Sequence, residues 1–367
     1  MDNLVFSNML HRPARTVVSI LGIAVGVLLI VFTVGLANGS LREQGRRESN
    51  VGAEIMLCAS KTCGFGGSDS LRLLIAATAQ EIKSAAGVAT IVPIGQNSVA
   101  ADNNTGSRLI EGVNFDEYSD IAGLHIIEGR KFSDAGSEAI VDTGFQKQKK
   151  YKIGDAIKLY ERDFKIVGTY EPAAGARIKI PLTEMQNQLG SEGKASAFLI
   201  KIQDGFTPEQ VAENLQEKFP DNQIILTKDI EELYLSGIPA LNVFLNVFIG
   251  VAAVISALVI LLTMYTTVTE RTRQIGIMKS LGMPNASVAW IIAQEALLIS
   301  LCGVVGGILL TVLLRFLLTR ITTLEVELSP LVCAIVLVVG LLGGALGALY
   351  PALRAANLDA VEALSYE

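Results

Sequence analysis

Residues able to carry chemistry are sparse in this chain, and their spacing excludes most reactions. The two histidines, His11 and His125, lie far apart, which excludes a His-Glu-x-x-His zinc helix and argues against a serine triad. The 367 residues hold no Gly-x4-Gly-Lys-Ser/Thr loop. The nearest approach, Gly190-Ser-Glu-Gly-Lys194-Ala195, has the wrong glycine spacing and no hydroxyl for Mg²⁺. Cys58 and Cys63 are separated by a four-residue spacer beside glycines, where they either close a small disulfide loop in an oxidising compartment or remain two thiols. No histidine or second cysteine pair accompanies them, so no metal is expected. Cys302 and Cys333 sit in apolar surroundings and read as small packing residues.

One polar segment is patterned. Within 265–299, Ile275, Met278 and Leu281 recur near helical spacing, with Ile277 adjoining, and Glu270, Arg271, Arg273, Gln274 and Lys279 supply charge and polarity. Gly282 and then Pro284 are the residues that end one helix and begin another. An amphipathic helix of this kind either rests among lipid headgroups or docks in the groove of a soluble protein. Composition leaves both readings open.

The elements around this segment are apolar. Half of the residues are hydrophobic, and the excess lies in four blocks at 16–37, 243–265, 288–318 (apolar core 296–314) and 331–349. Each apolar core is about the 20 residues needed to cross a ~30 Å hydrocarbon core. Arg271, Arg273 and Lys279 between the second and third blocks, against Arg315 and Arg320 between the third and fourth, put the 266–287 loop and both termini in the cytoplasm. Residues 1–15 suit an interfacial segment on that face, and 350–367 form a cytoplasmic tail. Glu295 is expected at the membrane interface, with a proton-relay role as the alternative. Gly22 and Gly26 in the first block serve either packing within the subunit or dimerisation. Gly303 and Gly307 in the third, and Gly340 and Gly344 in the fourth, make smooth faces for close helix contact.

Residues 38–242 have soluble composition. The chain's net charge of −6 falls between Arg42 and Glu232, with no basic stripe for nucleic acid. Strands are expected at 53–57, 88–94, 108–110, 156–160, 164–170, 198–202 and 223–226. Helices are expected to open at Thr78 (a capping box with Glu81), Thr183 and Thr207. The strand-rich stretch 110–201 reads as a separate lobe. Residues 228–242 read as a stalk continuing the second membrane helix, with Pro239 arguing for a break. The predicted fold is a membrane protein of four transmembrane α-helices, with a large α+β extracytoplasmic domain inserted between helices 1 and 2.

Glu270-Arg-Thr-Arg-Gln-Ile-Gly-Ile-Met-Lys-Ser-Leu-Gly282, followed by Gln294-Glu295-Ala296 and Gly303-x-x-Gly-Gly307, resembles the signature of MacB/FtsX-like ABC transporter permeases. The C-terminal run from Tyr350, the Asn8–Thr16 entry with Gly22 and Gly26, and Glu128-Gly-Arg130, Gly154-Asp155 and Phe164–Gly168 resemble the same family. Ala360 stands where many members have proline. The resemblance implies a type VII ABC system in the bacterial inner membrane, with two permease copies and a cytoplasmic ATPase on a separate polypeptide. ATP and Mg²⁺ then belong to that partner, and this chain needs no cofactor and is not by itself an enzyme. It further implies that 270–282 is the coupling contact, with Arg271 and Arg273 making polar and Ile275 and Met278 apolar contacts, beside Glu270, Gly276, Lys279 and Gly282. Expected partners are that ATPase, a second copy in a homodimer, membrane lipid and a periplasmic adaptor or other envelope protein. Export or efflux is the expected role, and regulation of a cell-wall hydrolase by mechanotransmission is the alternative.

Overall fold

The computed structural model describes residues 13–59, 71–100, 107–134, 136–237, 239–321 and 326–358. The chain forms two compact units, one of 1–40 with 239–367 and the other of 41–238. Helix α1 (Pro13–Ser49) is 37 residues long, about 55 Å at 1.5 Å per residue. It therefore extends well past the apolar 16–37, and its end from Leu41 belongs to the inserted unit. Of the expected interfacial segment, 1–12 lies outside the described residues. Pro13 opens α1, where a missing N–H costs little.

The inserted unit follows in order: β1 (Ile55–Cys58), β2 (Leu73–Leu74), α2 (Ile75–Lys83), β3 (Val88–Ala100), β4 (Ser107–Val113), α3 (Phe115–Ala122), β5 (His125–Gly129), β6 (Glu138–Asp142), α4 (Thr143–Lys149), β7 (Ala156–Leu159), β8 (Arg162–Glu171), β9 (Ile178–Pro181), α5 (Leu182–Leu189), β10 (Lys194–Ala195), β11 (Ala197–Ile202), α6 (Pro208–Lys218), β12 (Gln223–Leu226) and α7 (Ile230–Ser236). Ten strands form one mixed sheet, ordered β12-β1-β11-β3-β4-β9-β6-β8-β5, with β7 on β8. β2 and β10 make a separate pair. The run Ala197-Phe-Leu-Ile200 has no polar alternation because both sheet faces are covered. Ala197 and Leu199 enter a core with Tyr118, Ile121 and Ile230, while Phe198 and Ile200 enter another with Ile82, Val211 and Leu215. β1 alternates in the same way, with Met56 and Cys58 on one face and Ile55 and Leu57 on the other.

Several expectations change here. The 110–201 lobe is not closed, because β11 pairs with β1 and with the first half of β3, while the second half of β3 pairs with β4. Thr78 does not cap α2. The helix starts at Ile75, directly after β2 is fixed against β10, and Thr78 is buried inside it. The short helix expected at Thr183 is α5, which opens one residue earlier, at Leu182. That helix follows strand β9 with Pro181 at its N-cap, and the Thr183 hydroxyl donates to Asp134 O. Thr207 does cap α6, in a complete capping box with Gln210 and with Pro208 at the first position. The β7–β8 turn is Tyr160-Glu161, both at positive φ, so β8 begins at Arg162, two residues before the expected 164.

In the other unit, α8 (Pro239–Glu270), α9 (Thr272–Ser280), α10 (Asn285–Ile321) and α11 (Pro330–Ala356) follow. α1, α8, α10 and α11 are long and apolar enough to cross a membrane. All four run further than the expected 16–37, 243–265, 288–318 and 331–349. The stalk expected over 228–242 is broken: α7 stops before Gly237 and α8 opens at Pro239. The tail from 350 begins as helix through Ala356, and 359–367 lie outside the described residues.

The glycines pack helices within the subunit. A Cβ on Gly303 would stand 2.7 Å from the Ile23 side chain, one on Gly307 2.6 Å from Ala24 O, one on Gly340 2.5 Å from Val304 Cγ2 and one on Gly344 2.8 Å from Ser300 Cβ. Gly22 and Gly26 face Val259 and Ser256 at an ordinary 3.6 Å. Those two glycines therefore serve the internal packing of α1 on α8. Hydroxyls bind the same seams: Ser19 donates to Thr263 Oγ1 (3.0 Å) and Ser300 to Gly340 O (2.7 Å).

Candidate functional site: the helix between the second and third spans

α8 ends at Glu270, Arg271 turns the chain, and α9 occupies 272–280. Its end is set by Gly282, at φ +90°, a backbone region costly for any residue with a Cβ. Gly282 N–H donates to Lys279 O (3.0 Å) and Met283 N–H to Met278 O (3.1 Å), the paired bonds of a Schellman cap. Met278 and Met283 pack against the same apolar core, supplying the hydrophobic contact that accompanies that cap. α10 then opens after Pro284, whose carbonyl accepts from Ser287 and Val288.

The inner face of α9 is rooted in the helix bundle. Thr272, Ile275 and Gly276 are buried, and Ile275 joins a core with Met264, Val288, Ile292 and Ala352. Arg271 Nη1 donates to Glu295 Oε2 of α10 at 3.3 Å, with the two side chains 15 % and 7 % exposed. Lys279 Nζ donates to Ala356 O (2.7 Å) and Leu358 O (2.5 Å) at the end of α11. It thus meets carbonyls that a helix C-terminus leaves without partners, at the negative end of its dipole. Near the same ends Tyr265 stacks on Tyr350 at 6.4 Å between centroids, and the Arg354 guanidinium lies 4.7 Å from the Tyr265 ring.

The outer face is a stripe at i, i+3/i+4, i+7: Arg273, Gln274, Ile277, Ser280 and Leu281 are exposed. Leu281 is 82 % and Ile277 45 % exposed. The expected assignment of contacts therefore divides. Arg273, Glu270 and Gly282 face outward, whereas Arg271, Ile275, Gly276, Met278 and Lys279 hold α9 in place. The exposed large apolar residues of this segment are Ile277 and Leu281. Their four-residue spacing was visible in the sequence, but nothing local distinguished Ile277 from Ile275. Glu295, expected at a membrane interface, is the partner of Arg271. Among the other expected pairs, Cys58 is buried at the end of β1 and disulfide-bonded, while Cys63 lies outside the described residues. Cys302 and Cys333 are free.

The class is a multi-pass membrane protein whose sheet-rich domain is inserted after the first span. Residues 16–218 match the model of the MacB-like periplasmic core domain, and residues 246–360 match that of the FtsX-like permease C-terminal region, which includes α9. The chain belongs to the MacB/FtsX-like family of ABC transporter permeases. Similar proteins include the macrolide export ATP-binding/permease protein MacB of Acinetobacter baylyi, 26 % identical over 82 % of this chain and 49 % of that protein. MacB of Vibrio parahaemolyticus is 26 % identical over 97 % of this chain and 58 % of its own length. An ABC transporter permease of Methanocaldococcus jannaschii is 24 % identical over 84 % of this chain and 82 % of its own length. The chain spans about half the length of the MacB proteins it matches. The periplasmic region of MacB from Actinobacillus actinomycetemcomitans aligns with 50 % of this chain and 93 % of its own, at 16 % identity and a TM-score of 0.36.

Proposed function

We propose that this chain is the permease subunit of an ABC exporter, driven by a cytoplasmic ATPase on a separate polypeptide that binds ATP and Mg²⁺. Two permease copies assemble with the ATPase, both termini lie in the cytoplasm, and the inserted domain faces the periplasm, where an adaptor or another envelope protein meets it. The observation that carries this reading is the two-sided α9. Its inner face is tied to α10 through Arg271–Glu295 and to α11 through Lys279, so a push on α9 reaches two membrane helices. Its outer face offers Ile277 and Leu281 flanked by Arg273 and Gln274, an amphipathic stripe suited to helix-in-groove docking.

Affinity purification of the chain in mild detergent, followed by mass spectrometry, should recover a protein bearing a phosphate-binding loop. Ile277→Glu with Leu281→Glu should abolish that recovery while the chain remains folded. Absence of such a protein from the wild-type eluate, or its undiminished recovery with the double variant, refutes the docking assignment. A cell-wall hydrolase in the eluate in place of an export adaptor would replace transport by mechanotransmission.

A further inference from the structure

The inserted domain buries a charge cluster that the coupling segment does not use. Parallel pairing of β4 with β9 sets Glu111 beside Lys179. The two form an ion pair, and both are wholly buried. Lys179 Nζ also donates to Tyr118 Oη at 3.2 Å and lies 4.3 Å and 5.4 Å from the Tyr118 and Tyr170 ring centroids. Against this pair stands Glu48, near the end of α1 and 2 % exposed, accepting one hydrogen bond from Gln96 Nε2 (3.0 Å). The same end of α1 is seated on 173–177. Arg47 Nη1 donates to Gly175 O (3.3 Å), Gly175 N–H to Arg47 O (2.8 Å) and Asn50 Nδ2 to Ala173 O (3.1 Å), while Arg177 pairs with Glu43 at 2.8 Å. Gly175 also covers the Glu111 carboxylate so closely that a Cβ would strike both of its oxygens.

Lys179 is committed to Glu111, leaving Glu48 with an amide as its hydrogen-bond donor, and Glu111 Oε1 has no hydrogen-bond partner among the described residues. Gln96 pairs with Glu111 across β3 and β4 and donates to Glu48, so the two buried carboxylates share one site. Glu111 takes the Lys179 ammonium and the Tyr118 hydroxyl, while Arg47, the other cation near Glu48, is engaged with Glu43 and Gly175 O. A proton on Glu48 removes the charge that this arrangement leaves without an ion pair. We propose that Glu48, Glu111 and Lys179 form a proton-operated latch that seats the end of α1 in the inserted domain when protonated and loosens it when the proton leaves.

The groups facing Glu48 are Arg47 on α1, Glu111 on β4, Lys179 on β9, Gln96 on β3, Tyr118 on α3 and Tyr234 on α7. Burial, then the Glu111 charge, pushes the Glu48 carboxyl up from 4.5 to about 7, against the pull of Arg47 and Lys179. Burial pushes both tyrosines further above their ordinary range, so they stay neutral while Glu48 changes charge. The direction follows from linkage: a carboxyl raised in the folded state stabilises fully below its ordinary value. That contribution declines as pH climbs and is lost once pH passes the raised value. The latch is closed in mild acid and loosened in mild alkali.

The same helix continues into the apolar span, so the latch decides how firmly the inserted domain holds the end of a membrane helix. This inference rests on the fold of the inserted domain and not on the export reading, and it can fail independently. Hydrogen exchange of the full chain in detergent, from about pH 5 to about pH 8.5, tests it. Exchange at 41–50 and 173–177 is referred at each pH to the Glu48→Gln variant, which keeps the acceptor for Gln96 and mimics the protonated carboxyl. The two proteins should exchange alike at the acid end, and the wild type should be roughly tenfold or more faster at the alkaline end, tenfold being one pKa unit. Glu111→Gln should move the transition to lower pH. A wild-type-to-variant ratio independent of pH overturns the proposal, as does a transition unmoved in a folded Glu111→Gln protein. If either variant fails to fold, wild-type exchange at 41–50 referred to the amides of β11 in the same molecule decides. A pH-independent ratio there is equally fatal.

Discussion

Lys179 offers a sharp test of how the inserted domain is held together. Replacing it with methionine keeps the length of the side chain and removes the ammonium from a site with no access to water. Glu111 is then left buried without its ion partner, and Tyr118 loses the donor to its hydroxyl. Breaking one side of a buried pair costs about 3–5 kcal/mol. Part of that is recovered here because Glu111 and Glu48, no longer neutralised, take up a proton, so the lower half of the range is expected. For a unit of this size each kcal/mol lowers Tm by about 2–4 °C, and a loss of about 3 kcal/mol becomes roughly 6–12 °C. Glu111→Leu alone should cost a similar amount, because Lys179 is then the buried charge without a partner. The double variant Lys179→Met, Glu111→Leu should recover most of the loss, since an apolar pair of similar volume often replaces a buried ion pair at little cost. Scanning calorimetry of the purified chain in detergent, with the sheet signal followed by circular dichroism, gives all four corners of the cycle. Additive single losses, or a Lys179→Met loss below about 1 kcal/mol, would refute the reasoning, because either result means that water reaches the pair.

Two further predictions concern the membrane unit. Gly307→Ala and Gly347→Ala should each destabilise the helix bundle by about 1–3 kcal/mol, the cost of overpacking, because the new methyl meets Ala24 O or Ala257 O. Gly250→Ala, with nothing within 4 Å, should be neutral, and thermal inactivation in detergent ranks the three. Lys279→Met should loosen α9 from the end of α11 by about 1–2 kcal/mol, the scale of hydrogen bonds from a charged donor. Lys279→Arg should restore most of it, with the protection of amides 272–280 against exchange as the measure.

The four spans were legible because each is apolar on every side and long enough to cross a bilayer core. The capped end of α9 was legible because Gly282 and Pro284 act locally. Strand pairing was less so. Phe198–Ile202 reads as a strand from composition, yet the neighbours of β11, Ile55–Cys58 and Val88–Ile94, are chosen by non-local contacts that no window contains. The same distance hid the buried cluster, since Glu111 and Lys179 stand 68 positions apart. Thr78 shows the opposite error, in which a local capping pattern was overridden because strand β2 runs directly into the helix. On α9 the amphipathic pattern was visible but its polarity was not. Which isoleucine faces inward is set by the direction from which α10 and α11 approach.

The placement of β1 carries a consequence for how the chain is made. Both of its neighbours, β11 and β12, lie far downstream, the nearer beginning at Ala197. At about 5–20 residues per second, the four-residue strand Ile55–Cys58, apolar on both faces, waits roughly 7–28 s after synthesis for its first partner. During that interval its open hydrogen-bonding edges are templates for any other extended chain. Newly made copies are thus most exposed to mispairing before residue 202 has emerged, and a holding factor that shields β1 through that window would raise yield without altering the finished protein.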